Sequence, residues 1–256
     1  GQKDAISLAL TSSDRFVSVQ GLAGVGKTTM MRQLQEFAKE KDYAVVGLAP
    51  MHTSKDEMIA NGIEAMTIAK FLTESTQFRE NTLFIIDEAS MIGNRDYAAI
   101  QEKIISFKAK ALFAGDITQL QSPASGIPHE LTIKTGSQKI AKMTEIVRQK
   151  DSPILKKAVI HASNREIEDS FATLSTMNPE QFVKRQSGSD PAMKTSVITI
   201  NCMDTKTKKN DYNRIYQAIA TDYLTRIPEH QEKTLVIAHA HEDRKFINEL
   251  IRKGLQ

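Results

Sequence analysis

The 256-residue sequence has a single cysteine, no tryptophan and no apolar run long enough to span a membrane. Because a disulfide needs two thiols, the lone Cys202 excludes an intramolecular disulfide framework and fits a reducing cytoplasm. The first residues also lack the pattern of a signal peptide. We therefore expect a cytoplasmic protein with no membrane partner.

The sequence also lacks a strong net charge of either sign. Its formal net charge of +3 is too small to identify a nucleic-acid binder, and charged residues make up an ordinary 25%. A local group of basic side chains, Lys206, Lys208 and Lys209, is more typical of a solvated loop than of a phosphate-binding patch. Composition alone leaves the partner open.

A glycine-rich stretch lies between a strand-like run and a helix-like run. Residues 21–28, Gly-Leu-Ala-Gly-Val-Gly-Lys-Thr, have the spacing of a phosphate-binding loop. Glycines let backbone N–H groups wrap a phosphate, and the helix N-terminus adds its positive dipole end. Lys27 is predicted to reach the outer phosphates, and the Thr28 hydroxyl to bind Mg²⁺. This context favours binding of a nucleoside triphosphate over a merely structural turn.

Two carboxylates directly follow the apolar run Leu83–Ile86. Asp87 at the strand end is suited to hold the Mg²⁺ shell, directly or through water. Glu88 points elsewhere and can polarise an attacking water. An acidic turn after a strand is common by itself, but the upstream phosphate loop favours the functional interpretation.

Two further polar residues are candidates for sensing the terminal phosphate. Gln119, in the run Ala114–Leu120 after the next strand, offers an amide that can bond the phosphate or the attacking water. Arg148 offers a cation that can stabilise charge on the transferred phosphoryl group. A lone arginine is usually a surface residue, so this second assignment depends on context.

The first 150 residues alternate apolar strand-like runs with helix-like runs, which predicts an α/β fold with a parallel sheet covered by helices on both faces. The predicted strands are Arg15–Gln20, Ala44–Ala49, Thr82–Ile86 and Ala109–Ala114. The predicted helices are Thr28–Lys41, Ser54–Asn61, Thr67–Glu74 and Asp96–Phe107. Functional loops are expected at the carboxyl ends of these strands, where the motifs above lie.

The pattern changes after residue 150, and residues 178–195 are polar and contain Pro and Gly. The predicted helices are Asp151–Ser163, Arg165–Leu174, Lys208–Thr225 and Glu242–Lys253, and the predicted strands are Ser196–Ile200 and Lys233–Ala238. We therefore predict a complete first domain over residues 1–150. Residues 151–256 are expected to hold a helical and loop region and the start of a second α/β domain, as in a piece of a longer protein.

In this order, the motifs resemble those of superfamily 1 helicases of the RecD-like branch. Residues 21–28 match the first motif, 87–90 the second, 115–120 the third and 148–149 the fourth. Residues 14–24, 47–50, 222–228 and 233–237 further resemble the helicase portion of conjugative relaxases of the TraI type. The resemblance spans most of the chain and is densest in residues 1–150. It implies a P-loop NTPase with a RecA-like sheet, followed by part of a second RecA-like domain.

The resemblance also implies ATP and Mg²⁺ as ligands and movement along single-stranded DNA from 5′ to 3′ with little sequence preference. Gln2 matches a glutamine that recognises adenine. The residues implied to hold the nucleotide are Gln2, Gly21, Ala23, Gly24, Val25, Gly26, Lys27, Thr28 and Thr29. Those implied in catalysis are Lys27, Glu88, Gln119 and Arg148, with Thr28 and Asp87 at the metal.

The residues implied to face DNA are Pro50, His52, Thr53, Ser54 and Thr67. Their hydroxyl and imidazole groups can donate to phosphates. Thr67 is almost equally well explained as the cap of the helix that it begins. Other proteins of a transfer machinery are possible partners.

The sequence departs from the helicase pattern in two places. Met51 stands where this branch usually has threonine, and methionine cannot donate a hydrogen bond. Either His52, Thr53 or Ser54 substitutes, or this loop contacts DNA more weakly. In addition, nothing after Arg148 matches the later motifs that supply a second arginine to ATP. We therefore expect this chain to bind ATP and Mg²⁺ but to hydrolyse ATP slowly or not at all alone.

Two alternatives to a helicase motor remain. One is a helicase-like module of a relaxase that binds single-stranded DNA or serves secretion without hydrolysis. The other is a small-molecule kinase. The intact Lys27, Asp87, Glu88 and Gln119 argue against the first. The combination of the motifs at residues 87–90 and 115–120 disfavours a small-molecule kinase.

Overall fold

The computed structural model describes residues 1–119, 121–147, 152–176, 196–197 and 211–256. The chain divides into two compact units, Gly1–Glu166 and Ile167–Gln256. The predicted boundary after residue 150 stays a prediction. No helix within the described ranges is both long and apolar enough to cross a membrane.

The first unit alternates helices and strands along the chain. Its helices are α1 Gln2–Thr11, α2 Lys27–Glu40, α3 His52–Ala60, α4 Ile68–Thr73, α5 Asn94–Ser106, α6 Pro128–Thr135 and α7 Pro153–Ser163. Its strands are β1 Phe16–Gly21, β2 Ala44–Ala49, β3 Ala65–Thr67, β4 Thr82–Ile86, β5 Lys110–Gly115 and β6 Lys139–Met143. A 3₁₀ turn, Ala89–Met91, follows β4.

The six strands form one sheet in the order β3-β2-β4-β5-β1-β6, and every described pairing in it is parallel. The register pairs Val19 of β1 with Ala114 of β5, and Leu48 of β2 with Ile86 of β4. Because all strands run the same way, their carboxyl ends share one edge of the sheet. This edge carries the residues at which the motifs begin.

Helices cover both faces of the sheet. Along β4, Leu83 and Ile85 join a buried cluster with residues of α1 and α2, such as Ala5 and Met30. The intervening Phe84 and its partners join a second cluster with residues of α4 and α5. This alternation explains why the strands appear in the sequence as continuous apolar runs, since side chains on both faces are buried.

The eight elements predicted in residues 1–150 are all present, and their ends agree to within two residues. The structure adds elements that the sequence patterns did not indicate: α1, β3, α6 and β6. The edge strand β6 alternates exposed lysines with buried Ala141 and Met143, so it lacks the continuous apolar run of a central strand. The predicted α/β fold is therefore confirmed.

Within its described residues, the second unit contains α8 Ile167–Thr173, a pair of two-residue parallel strands, and three later helices. The strands are β7 Ser175–Thr176 and β8 Ser196–Val197, and the helices are α9 Tyr212–Thr225, α10 Pro228–Glu232 and α11 His241–Leu255. The rings of Tyr216 on α9 and Phe246 on α11 are stacked with centroids 6.0 Å apart. The Tyr216 hydroxyl hydrogen-bonds to Asp243.

One predicted strand of the second unit is wrong. Helix α10 ends at Glu232, and residues 234–238 have no regular secondary structure. Leu235 and Ile237 are each 81% exposed. An apolar run forms a strand only if another strand pairs with it, and within the described ranges no strand pairs with this segment. The predicted polar loop at 178–195 and the ends of two neighbouring predicted elements lie outside the described residues.

Candidate nucleotide-binding site

The phosphate loop connects the carboxyl end of β1 to the start of α2. Gly24 and Gly26 have φ values of 77° and 82°, in the left-handed region that favours glycine. A Cβ atom on Gly26 would lie 2.5 Å from Nε2 of Gln2, so any side chain larger than that of glycine would also clash at this position. Lys27 is the first residue of α2, and its Nζ donates to the Gly21 carbonyl at 2.9 Å. The lysine therefore lies across the loop.

The loop is held by contacts from both sides. The Gln2 amide on α1 donates to the carbonyl oxygens of Val25 at 3.2 Å and Gly26 at 3.3 Å. From the segment after β6, the Val147 N–H donates to the carbonyl of Gly24 at 2.9 Å. Gln2 thus lies next to the loop, as the resemblance implies. Arg148 lies outside the described residues.

The acidic pair lies at the end of β4, on the same edge as the phosphate loop. Glu88 has a φ of 49°, in the left-handed region, and directly precedes the 3₁₀ turn Ala89–Met91. The Glu88 N–H donates to Oδ1 of Asp87 at 2.9 Å. A left-handed backbone at a non-glycine residue is strained, and such strain is enriched at functional sites.

Burial, and after it the negative charge of Glu88, raise the pKa of Asp87 to about 6. Lys27 acts in the opposite direction, which shows that its ammonium is close enough to favour the carboxylate. A third carboxylate, Glu57 on α3, also raises this pKa. Its Oε1 accepts a hydrogen bond from the Thr28 hydroxyl at 3.3 Å.

The chemistry of these side chains fits Mg²⁺. A magnesium ion prefers hard oxygen ligands and usually takes one or two carboxylates together with phosphate oxygens. Thr28 supplies a hydroxyl oxygen, and Asp87 supplies a partly buried carboxylate. When no cation is bound, burial favours the protonated form of the Asp87 carboxyl. Both are half-buried at the edge of the sheet, so solvent and ligand can reach them.

Asp116, after β5, is the centre of a hydrogen-bond network beside the loop. It is 1% exposed, and its carboxylate accepts from Gln20 Nε2 at 3.1 Å, Gln119 Nε2 at 2.9 Å and the Thr118 hydroxyl at 2.7 Å. Burial alone would raise the pKa of Asp116, but the hydrogen bonds from Gln119, Thr118 and Gln20 hold it below its ordinary value. Gln20 directly precedes the phosphate loop, so Asp116 ties the end of β1 to the end of β5.

Behind this network lies a histidine without polar partners. His129 on α6 is 1% exposed, and among the described residues neither of its ring nitrogens has a hydrogen-bond partner. The Ser90 hydroxyl, next to the acidic pair, is also buried and has no partner in the same part of the chain. Burial, and after it the positive charge of Lys27, lower the pKa of His129 to about 4. The imidazole is therefore neutral at pH 7 and packs beside the site as a buried ring.

The residues implied to face DNA lie on the same edge, beyond β4. The register pairs Ala49, at the end of β2, with Thr67, at the end of β3, so the two DNA-facing segments are neighbours. His52 and Thr53 at the start of α3 are exposed, whereas Ser54 is 9% exposed. Thr67 caps α4 by accepting from the Lys70 N–H at 3.3 Å. The predicted role of Thr67 as a helix cap is therefore confirmed, and its contact with DNA stays a prediction.

Three residues of this site were not assigned from the sequence: Glu57, Asp116 and His129. Asp116 stands inside the third motif, and its position directly after a strand was an available signal. Glu57 and His129 had no local signal, because their neighbours Thr28 on α2 and Gly115 on β5 are distant in the sequence. Of the other residues implied at the nucleotide, Ala23 and Thr29 are exposed on the loop and the first turn of α2.

A glycine loop between β1 and α2 and an acidic pair after β4, both on a parallel sheet, define a P-loop nucleotide-binding domain of the RecA-like α/β class. The chain belongs to the AAA domain family, whose sequence profile matches residues 1–186.

Individual relatives and a solved structure agree with this class. The chain is 35% identical over 277 residues to the multifunctional conjugation protein TraI of Escherichia coli strain K12, covering 98% of this chain and 16% of that protein. A conjugal transfer protein TraA of Agrobacterium fabrum is 26% identical over 259 residues, covering 99% of this chain and 21% of that protein. The crystal structure of the Pif1 helicase from Candida albicans matches with a TM-score of 0.50 and 14% identity, covering 72% of this chain and 53% of that one.

The resemblance to TraI-type conjugation proteins and the P-loop fold class are therefore confirmed. The chain spans about a sixth of the length of the TraI proteins that it matches.

Proposed function

We propose that this chain is an ATP-driven helicase segment of a conjugative relaxase, which couples ATP hydrolysis to movement along single-stranded DNA. One observation carries the proposal. Strand β2, which is followed by the exposed residues His52 and Thr53, is the direct neighbour of β4, which is followed by Asp87 and Glu88. The candidate DNA loop and the candidate hydrolytic site thus share one edge of one sheet.

ATP would be held by the loop N–H groups and the N-terminus of α2. The Lys27 ammonium would leave the Gly21 carbonyl and bind the outer phosphates, a more strongly charged acceptor. Gln2, which reaches over the loop, would contact the adenine. Thr28 and Asp87 would hold Mg²⁺, which neutralises phosphate charge when bound.

Hydrolysis requires a water to attack the γ-phosphorus while the bond to the β-phosphate oxygen breaks. Glu88, which follows Asp87 and has a left-handed backbone, would accept a proton from that water. Gln119 would leave Asp116 and bond the water or the γ-phosphate. Arg148 would add positive charge to the transferred group.

Single-stranded DNA would cross the carboxyl edge at Pro50, His52, Thr53, Ser54 and Thr67. The contacts there are suited to phosphates, so little sequence preference follows. Movement from 5′ to 3′ follows from the resemblance and is tested with duplexes that carry a single-stranded tail at one end or the other. A cytoplasmic location, where ATP is available, and contacts with other transfer proteins are part of the same proposal.

Binding of ATP to the chain is the first test. Calorimetry with ATP and Mg²⁺ should give saturable binding, and Lys27→Ala should weaken it about 10- to 100-fold, because a charged hydrogen bond is lost. Lys39→Ala is the matched control, since Lys39 is an exposed lysine on the same helix. Equal effects of the two substitutions would contradict the proposal.

DNA-dependent hydrolysis is the second test. Single-stranded DNA should raise the hydrolysis rate of a longer protein that contains this chain. Glu88→Gln should abolish hydrolysis while ATP binding remains. If the longer protein holds DNA but shows no hydrolysis under any condition, the chain is a DNA-binding module and not a motor.

A further inference from the structure

Glu57 is a carboxylate at the nucleotide site that no sequence motif indicates. It lies on α3, five residues after the exposed His52, and its own side chain is exposed. The packing of α3 determines where it points. Met58 is 2% exposed, and a Cβ atom added to Gly47 of β2 would lie 2.6 Å from its Cε. This close approach fixes α3 against the sheet and directs the preceding residue towards the phosphate loop.

The hydroxyl of Thr28 is the hydrogen-bond partner of this carboxylate. Thr28 Oγ1 donates to Oε1 of Glu57 at 3.3 Å. Within the described residues Glu57 forms no ion pair, whereas its neighbour Asp56 pairs with Lys55 at 2.8 Å. A second observation agrees with the geometry: the charge of Glu57 acts on Asp87, the other predicted metal ligand.

A hydroxyl has one proton and two lone pairs. If the proton points to Glu57, the lone pairs are free to bind a cation. If that acceptor is absent, the hydroxyl can rotate and donate elsewhere, including to the oxygens that the cation needs. A carboxylate that orients a metal-binding group in this way also adds negative charge near a divalent cation.

We propose that Glu57 is a positioning residue that orients the Thr28 hydroxyl for Mg²⁺. This role rests on the proposed function, because it requires that Mg²⁺ and ATP bind at this site. Glu57 acts through Thr28, and it need not contact ATP.

The test is the ATP affinity of the whole chain, measured by calorimetry with excess Mg²⁺ and again with EDTA. Glu57→Ala should weaken the affinity about 10-fold with Mg²⁺ and leave it unchanged with EDTA, because loss of a group that orients a metal ligand costs about 10- to 100-fold in metal affinity. Glu57→Gln keeps an oxygen acceptor, so its ATP affinity with Mg²⁺ should lie between that of Glu57→Ala and that of the unchanged chain. The melting temperature without ligand should be the same for all three.

Asp56→Ala is the matched control, since it removes an exposed carboxylate from the same turn of α3. If Asp56→Ala and Glu57→Ala weaken the ATP affinity equally, Glu57 is not a positioning residue. The same conclusion follows if Glu57→Ala weakens the affinity equally with and without Mg²⁺. If the unchanged chain binds ATP with Mg²⁺ and Glu57→Ala binds it equally well, only this inference fails. If the unchanged chain does not bind ATP, the proposed function fails and this role fails with it.

Discussion

The side-chain amide of Gln119 donates to Oδ2 of Asp116 at 2.9 Å, so the predicted phosphate sensor is bonded to a buried carboxylate. The other oxygen of Asp116 accepts from Gln20, which precedes the phosphate loop. The carboxylate therefore connects two functional segments through one side chain. Removal of the Asp116 carboxylate therefore affects both folding and the geometry of the site.

We predict that Asp116→Ala lowers the free energy of unfolding by about 2–3 kcal/mol, because it removes a buried carboxylate that accepts hydrogen bonds from the half-buried Gln20 and from Thr118. Urea unfolding followed by circular dichroism measures this change. Gln119→Ala, in contrast, removes an exposed side chain and should change stability by less than about 0.5 kcal/mol. A similar loss in both variants would contradict the proposed place of Asp116 in the network.

His129 predicts a specific acid sensitivity. Its pKa is about 4 in the folded chain and 6.5 when unfolded, so between these values the unfolded state binds more protons. Stability contributed by the neutral ring is present above pH 6.5 and is lost as the pH falls towards 4, by about 3 kcal/mol in total. His129→Phe keeps a buried ring and removes two unpaired nitrogens, so it should abolish this part of the pH dependence.

The measurement is the free energy of unfolding between pH 7 and pH 4 for the unchanged chain and for His129→Phe. His239→Gln is the control, because His239 is exposed in the second unit. If His129→Phe loses as much stability on acidification as the unchanged chain, the histidine does not titrate as described.

The parts of the site that local sequence determines were predictable. The phosphate loop and the acidic pair each follow a short apolar strand, and both lie where the pattern indicated. The glycine spacing of the loop also corresponds to the positive φ angles of Gly24 and Gly26. These features need no information about distant residues.

The parts that depend on distant packing were not predictable. Glu57 meets Thr28 only because Met58 packs against β2, and no spacing along the chain encodes that contact. The apolar run at residues 234–238 led to a wrong prediction for a related reason. Strand formation there needs a hydrogen-bonding neighbour, and a sequence pattern does not show whether one is present.

The raised pKa of Asp87 predicts that Mg²⁺-dependent ATP binding weakens in mild acid. Its pKa is about 6, and Mg²⁺ competes with the proton for the same oxygens. The Mg²⁺-dependent part of the ATP affinity should therefore fall by up to about 10-fold between pH 6 and pH 5. Glu88→Gln removes a charge that raises this pKa, so the midpoint should move to lower pH.

Calorimetry with ATP at pH 5, 6 and 7.5, with Mg²⁺ or EDTA, measures this dependence. Asp87→Asn removes the titrating carboxyl and should give a shallower profile, whose remaining pH dependence comes from the phosphates of ATP. The free energy of unfolding without ligand changes with pH in the opposite direction. The Asp87 carboxyl contributes stability below pH 3.8, and this contribution is lost as the pH rises through about 6. A wild-type binding profile that is flat over this range would refute the assignment of Asp87 as a metal ligand.

Helix α3 predicts that DNA and nucleotide affect each other's affinity. The predicted DNA contacts His52 and Thr53 stand on its first turn, and Glu57 stands near its other end, bonded to Thr28. If a DNA phosphate bound at its start shifts this nine-residue helix as one element, the Glu57 carboxylate shifts with it. A saturating single-stranded oligonucleotide should therefore change the affinity for ATP with Mg²⁺. By linkage, ATP should change the DNA affinity by the same factor.

Calorimetry for ATP and fluorescence anisotropy for a labelled oligonucleotide measure the two factors independently. Glu57→Ala should bring both factors towards one while the oligonucleotide still binds, because the connection between α3 and Thr28 is lost. Asp56→Ala should leave both factors unchanged. If the coupling persists in Glu57→Ala, it is transmitted by another part of the sheet edge, such as the β4 and β5 ends, and α3 is not the connecting element.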